Sequence, residues 1–460
     1  MRSILIGCVM MAVVFPAWAQ TRSENIARCD GDDPDAAIES CTALLQLERE
    51  PVENTVEFYN NRGAAYNTKG LYDRALSDLN KAIATAPLDA DAYVNRGGTY
   101  LHKGLYDQAL ADENKAIALN PNLAAAYINR GGAYAHQGRY DLAVADETKA
   151  IALNDAKYLA LAYGNRGHDY SDIRRYDLAI ADYNRAIALE PKRAGYYNGR
   201  AWAYHLKGAD AKGLPDAQKA VALDSRNGNA VETRAEIYEK LGQGDKAVAD
   251  YTLAIALEPN SPEAYYHRGV LYDLNGVRTH RKIGYDAAID LYAQAAADET
   301  RAIALKPDYA EAYEGRGKAL AHRGYGMQAI DDFTKLIALK PNYAQAYAER
   351  GNVYKEIRKN DDHNKAAFDR AIADYTKAIA LDPKNAENFI QRGETYEHEG
   401  LHDRAIADYT RAIALKPNSS VAYMDRSAAY SAEGDDARAQ ADTDKFLTLY
   451  RAETAAPAKP

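Results

Sequence analysis

The sequence predicts an all-α protein built as one array of about eleven helical hairpins, and three observations carry that reading. First, an Arg followed by a small residue returns nearly every thirty-four residues: Arg62/Gly63, Arg96/Gly97, Arg130/Gly131, Arg166/Gly167, Arg200/Ala201, Arg234/Ala235, Arg268/Gly269, Arg316/Gly317, Arg350/Gly351, Arg392/Gly393 and Arg426/Ser427. Second, aromatic residues keep two registers around that small residue: four before it, as at Tyr59 and Phe389, and three after it, as at Tyr66 and Tyr430. Third, a Gly usually stands seven after it and a Pro closes most units. A fixed period of this length marks units that cannot bury an apolar face alone and stack into a continuous core. The 460 residues would ordinarily suggest about three domains, but here they leave no separate stretch long enough for a catalytic domain.

Taken in order, residues 1–19 have the layout of a secretory signal: Arg2, an apolar run from Ile4 to Phe15, and Ala17-Trp18-Ala19 before Gln20. That run is too short to span a bilayer. Nothing after it is long and apolar enough to insert, so the expected product is exported, either periplasmic or secreted, with no membrane insertion after signal removal. Residues 20–54 are expected to form capping helices. Asp33-Pro34 reads as an N-cap with Pro at the first helical position. Signal removal leaves Cys29 and Cys41, an even pair bound for an oxidising compartment, and a disulfide is the expected state. With Cys41 about 12 Å along the helix, the segment from Cys29 to Asp33 must run back beside it. A spacing of twelve is not the C-x-x-C of redox or metal sites.

Residues 55–451 carry the repeats. The aromatic registers lie on one face of an amphipathic first helix. The Gly at Gly70, Gly104, Gly138, Gly208, Gly242, Gly276, Gly324, Gly400 and Gly434 is expected to end that helix in a left-handed cap, with Arg174 and Arg358 breaking the rule. A second helix follows and stops near a Pro such as Pro87 or Pro121. Ala75, Ala109 and Ala143 face the small residue across the turn, so the two helices approach closely. Two longer intervals mark insertions near 277–290 and 358–366. The first brings Arg278, His280, Arg281 and Lys282 together before a long second helix starting near Tyr285. The second brings Arg358, Lys359, Asp361, Asp362 and His363 together. Both should project from one edge of the array. Residues 452–460 read as a disordered tail.

The order of aromatic, small residue, Tyr, Ala, aromatic, Ala and Pro at this period resembles the tetratricopeptide repeat over eleven units. The resemblance implies a right-handed superhelical α-solenoid whose concave face binds extended peptides or protein surfaces. It implies no reaction chemistry and no cofactor.

An Asp stands fifteen after each small residue once the insertions are allowed for, from Asp78, Asp112 and Asp146 to Asp442. Arg62, Arg96 and Arg130, with the Arg of every later unit, are nearly mirror positions of these Asp about the turn. A repeated structural Arg–Asp pair follows, the guanidinium fork suiting a carboxylate. His398-Glu399-Gly400-Leu401-His402 spells the H-E-x-x-H of zinc peptidases, but Gly400 is a turn glycine, so the two His straddle two helices. No metal site and no catalytic residue is therefore assigned. His102, His136, His322 and His398 share a register two before the turn Gly, which suits capping of a helix C-terminus. Glu113, Glu147 and Glu299 replace an aromatic and are expected to make hydrogen bonds between repeats.

The stripe that lines the concave groove in the resembled family carries no formal charge in the first five repeats; it includes Val94, Ile128, Asn198, Trp202 and His205. From the sixth repeat it turns acidic, with Glu232, Glu236, Glu239, Asp273, Glu314, Glu394 and Glu397 against Lys318 and Lys355. With a net charge of -9 and no Lys/Arg run, nucleic acid is a poor partner, because phosphate binding needs basic side chains that release counterions. The expected work is non-enzymatic binding of a protein or peptide with a basic segment. A competing reading is an envelope assembly module that uses the convex face or the inserted turns.

Overall fold

The computed structural model describes residues 21–47, 51–359 and 365–455, and among them every regular element is an α-helix. The signal-like segment, and Asp361, Asp362 and His363 of the second insertion, lie outside the described residues. The chain divides into two compact units, Met1–Asp224 and Ser225–Pro460. Unit 1 opens with α1 (Arg22–Cys29) and α2 (Pro34–Leu45). Five hairpins follow: α3 and α4 (Val52–Thr68, Tyr72–Thr85), α5 and α6 (Ala90–His102, Tyr106–Leu119), α7 and α8 (Ala124–His136, Tyr140–Leu153), α9 and α10 (Leu159–Asp172, Tyr176–Leu189), and α11 and α12 (Ala194–Leu206, Asp210–Leu223). Unit 2 holds six: α13 and α14 (Gly228–Lys240, Gly244–Leu257), α15 and α16 (Pro262–Ile283, Tyr285–Leu305), α17 and α18 (Ala310–His322, Gly326–Leu339), α19 and α20 (Ala344–Lys359, Lys365–Leu381), α21 and α22 (Ala386–His398, His402–Leu415), and α23 and α24 (Ser420–Ala432, Asp436–Ala455). The last helix carries the chain to Ala455, past the expected start of the tail.

The N-terminal cap forms as its sequence dictates, with one change of route. Thr21 and Glu24 make a reciprocal capping box on α1, and Asp33 caps α2 with Pro34 in the first turn. Cys29 and Cys41 are joined, their Cα atoms 4.9 Å apart. Cys29 does not reach its partner on an extended run as expected. It ends a helix of its own, and α1 packs on α2 through a short turn, so both sulfurs meet beside Leu44 and Phe58. Phe58 belongs to α3, which ties the cap to the first hairpin.

Within each unit every helix packs on the next, and the first helices of successive hairpins also touch, as α5 does α7 and α17 does α19. Those first helices therefore line the inner, concave side of each unit. What brings the helices close is an interlock that the sequence shows only in part. A Cβ on Gly167 would meet the Tyr183 ring at 3.2 Å, and one on Gly199 of the next hairpin would meet the same ring at 2.4 Å. The residue sixteen after the small residue thus inserts between two first helices, and small residues on both sides make room for it. The expected facing Ala contributes mainly its backbone: the Ala179 carbonyl lies 3.3 Å from a Cβ on Gly167.

The turns follow the expectation at Gly138, which has φ 72, and Arg174 adopts the same left-handed backbone with φ 61. Gly276 does not. It lies inside α15, where a Cβ would stand 2.6 Å from the Tyr292 ring, and the chain turns at Gly284 with φ 116. The first insertion therefore lengthens both helices of its hairpin, and Gly276 with Tyr292 repeats the small-residue-to-ring contact further along them.

Candidate functional site

The most repeated polar feature is structural. Arg130 Nε and Nη2 donate to Asp146 Oδ2 and Oδ1 at 2.7 and 2.6 Å, and the same two-bond fork closes the other ten hairpins. The third donor was not legible in the sequence. Arg130 Nη1 reaches Asn114 Oδ1 at 2.7 Å and Arg350 Nη1 reaches Thr334 Oγ1 at 2.9 Å, each on the second helix of the preceding hairpin. The hydrogen bond to Asp146 raises the Arg130 pKa, and the guanidinium also lies over the Tyr127 ring at 5.5 Å. Arg130 and Arg350 are thus each spent on joining two hairpins. The preference for Tyr over Phe has an equally local cause: Tyr127 and Tyr347 donate their hydroxyls to the carbonyls of Pro121 and Pro341 at 3.2 and 3.1 Å.

The recurring His are ring partners more than caps. His102, His136 and His398 stack on Tyr72, Tyr106 and Phe368, and His322 tilts over Tyr292 at 4.9 Å. In each case the aromatic comes from the second helix of the preceding hairpin. In the H-E-x-x-H stretch, His398 ends α21 and His402 begins α22, where its Nδ1 is 3.0 Å from Glu397. The buried Glu only partly meet the expected bonding. Glu113 Oε1 accepts from Asn129 at 2.9 Å, yet among the described residues its Oε2 has no hydrogen-bond partner, and neither carboxyl oxygen of Glu299 has one. The reason is the neighbouring side chain. Asn129 stands two before the small residue of the next hairpin, and Gly315 holds that register against Glu299. Burial, followed by the nearby Asp298 and Asp273, pushes the Glu299 carboxyl up to about 10.

On the concave side of unit 1, Val94 and Ile128 are corrections: they are 8% and 6% exposed and belong to the core between hairpins. The inter-repeat contact surface turns them inward, which helical periodicity within one repeat does not show. Asn198 and Trp202 stay half-buried on this side, with the Trp202 ring 5.1 Å from His205, whose Nδ1 meets Asp210 at 2.6 Å.

On the concave side of unit 2 the expected carboxylates are present and half-buried, but most have partners within the chain. Asp273 meets His322 Nδ1 at 2.9 Å; Glu314 accepts from Lys318 at 2.6 Å and from Tyr343 at 3.1 Å. Glu394 accepts from Lys355 at 2.7 Å, and that Lys is itself only 6% exposed. Glu397 holds His402. Helix α13 presents Glu232, Glu236 and Glu239 on successive turns. Burial pushes Glu232 up to about 6, and Ser261 donates to it at 3.1 Å. Against the desolvation that would raise it, hydrogen bonds from His267 and Tyr251 hold Glu239 below the usual carboxylate range. Asp425, which sequence reasoning missed, joins the Glu394 group; burial and Glu394 push it up to about 7. A cleft of about 510 Å³ lies in the same unit, lined by Lys318, His322, Glu349 and Asn352 among others.

The chain matches the family described as TPR repeat over residues 235–276, and that described as tetratricopeptide repeat over 160–193, 61–124, 114–157 and 365–420. No curated protein matches it significantly. Solved structures similar to it include a tetratricopeptide repeat protein from Parabacteroides merdae, 20% identical, covering 59% of this chain and 98% of that one with TM-score 0.40. The human IFIT1 dimer with PPP-AAAA is 17% identical, covers 94% and 100%, and has TM-score 0.46. MamA is 26% identical, covers 39% and 97%, and has TM-score 0.32. With the repeat matches falling on the hairpins just described, the chain is a tetratricopeptide-repeat protein.

Proposed function

We propose that this chain is an exported, non-enzymatic scaffold that holds an extended polypeptide on its concave side, the basic part of that ligand lying along the first helices of unit 2. A tetratricopeptide-repeat array is an interaction scaffold, and the observation that carries the finer reading is the Glu232, Glu236 and Glu239 row on α13. Like charges one turn apart on a helix repel each other. Here they are also half-buried, and burial raises Glu232. Glu239 is already met by His267 and Tyr251, and a Lys or Arg of a ligand laid against the row would add to them and offset the cost at Glu232, which supports a basic segment. The same row, and the net charge of -9, disfavour a phosphate backbone. Export is supported by the signal-like segment 1–19 and by the Cys29–Cys41 bond, which belongs to oxidising compartments.

The test uses unstructured fifteen-residue peptides of net charge +4, 0 and -4 in fluorescence anisotropy. The basic peptide should bind with a steep salt dependence, and Glu236→Lys should weaken it several-fold. Binding that ignores peptide charge, or survives Glu236→Lys unchanged, would count against the concave side of unit 2. One observation favours the inserted hairpin as a second docking point: Ile283, Tyr285 and Ile289 are 77%, 37% and 36% exposed along its added turns. Shortening α15 and α16 by those turns should abolish partner capture if that edge carries it and leave peptide binding intact.

A further inference from the structure

The fourth hairpin of unit 1 breaks the pattern at one buried place. Two after the small residue, its neighbours carry Ala65, Thr99, Ala133 and Ala203; α9 carries Asp169, which is 2% exposed. A carboxylate at that depth needs a counter-charge or a donor. Among the described residues the buried Asp169 Oδ2 atom has no hydrogen-bond partner, and neither has Oε2 of Glu147, a residue of α8 that is 1% exposed. The two carboxyl groups are within hydrogen-bonding reach of each other. Both are acceptors when ionised, so either a proton or a cation must stand between them. The nearest guanidinium, Arg166, is committed to Asp182 at 2.7 Å.

Above this pair the concave side opens into a cleft of about 460 Å³, lined by Glu147, His168, Asp169 and Asp172 with His136 and Tyr140. His168 Nδ1 lies 4.0 Å from Asp169 Oδ1 and 3.5 Å from Asp172 Oδ2, and one ligand atom from each of the three residues falls within 4.8 Å of the others. Ligand atoms held about 2.0–2.2 Å from one ion stand roughly 3–4 Å apart, so small side-chain shifts suffice to close the set. His168 and Asp172 are one turn apart on α9, the helical spacing that puts both on one face.

We propose that His168, Asp169 and Asp172, backed by Glu147, bind a divalent transition-metal ion of the zinc class on the concave side of unit 1. The imidazole nitrogen selects this class over calcium or magnesium, which take all-oxygen shells. The buried Asp169 supplies the anchoring charge, and exposed His168 and Asp172 close over the ion from the solvent side. The site is independent of the peptide reading and lies far along the sequence from the H-E-x-x-H stretch.

The experiment is isothermal titration of tag-free full chain with zinc chloride, and with manganese and calcium chloride as comparators. One zinc equivalent should bind, more tightly than calcium, and should raise the thermal midpoint. Asp169→Ala restores the residue that Ala133 and Ala203 carry, and should weaken zinc at least tenfold. His168→Ala alters an exposed side chain, so it keeps the test valid if the buried variant folds poorly; it should weaken zinc by a similar factor. His402→Ala should leave binding unchanged. Absence of a zinc equivalent in the unaltered chain, full zinc binding in both site variants, loss of zinc on His402→Ala, or tighter calcium than zinc would each overturn the assignment.

Discussion

Glu299 stands where other hairpins carry an aromatic ring, and replacing it with Tyr tests the interlock between hairpins quantitatively. Its carboxyl lies between Gly269 and Gly315, as the Tyr183 ring lies between Gly167 and Gly199, so the cavity has the glycine walls that a ring needs. The raised value of about 10, against 4.5 for a free Glu, means that the folded chain holds a proton the unfolded chain releases at neutral pH. Such a group is most favourable to folding below about pH 4.5. Its contribution is lost progressively as pH rises toward 10, by at most ~1.4 kcal/mol per pH unit. At pH 7 the penalty reaches about 3 kcal/mol, and Glu299→Tyr removes it. The new hydroxyl also comes within range of Asp273, as Tyr251 reaches Glu239 at 2.9 Å from the equivalent register. Amide hydrogen exchange in α16, compared with the unaltered chain at the same pH so that intrinsic rates cancel, reads this directly. The variant should be protected a few-fold more at pH 5 and roughly a hundred-fold more at pH 7. A protection ratio that stays flat from pH 5 to 8, or a variant less protected than the parent, would refute both the buried-proton argument and the glycine-walled pocket.

Three further outcomes follow from the same structure. In a double-mutant cycle of Arg130→Ala and Asp146→Ala, each single change should cost about 3–5 kcal/mol because it strands a buried charge. The double should cost clearly less than the sum, and additive losses measured by exchange in α7 and α8 would sink the pairing. Gly199→Ala drives a Cβ to 2.4 Å from the Tyr183 ring, so it should cost about 1–3 kcal/mol, whereas Gly195→Ala, with nothing within 4 Å, should be neutral or slightly stabilising. Replacing Cys29 and Cys41 together by Ala should destabilise the first cap by roughly 3 kcal/mol on the loop-entropy relation. Faster proteolysis or exchange confined to α1, α2 and α3 is the expected reading, and no change there would contradict it.

Much of this protein is legible residue by residue because each repeat solves the same local problem. The period, the two aromatic registers, the Pro stops, the Arg–Asp forks and the N-terminal cap depend on spacing along one chain segment, and spacing is what a sequence displays. Partners across the hairpin-to-hairpin contact are not legible in that way. The Arg130 bond to Asn114, the stacking of His136 on Tyr106 and the burial of Val94 and Ile128 all arise where two repeats meet, and Gly276 moves from turn to helix interior because the insertion lengthens both helices of its own hairpin. The fate of the buried Glu makes the difference plain: Glu113 and Glu299 look equivalent in sequence, and only the opposed Asn129 or Gly315 decides whether a donor is present. So the sequence by itself determined an all-α repeat array and its internal Arg–Asp ladder. The tertiary structure decided which concave side chains are left to act, and brought Glu147, His168, Asp169 and Asp172 to one cleft, because packing between neighbours sets burial and burial sets the charge a side chain can keep.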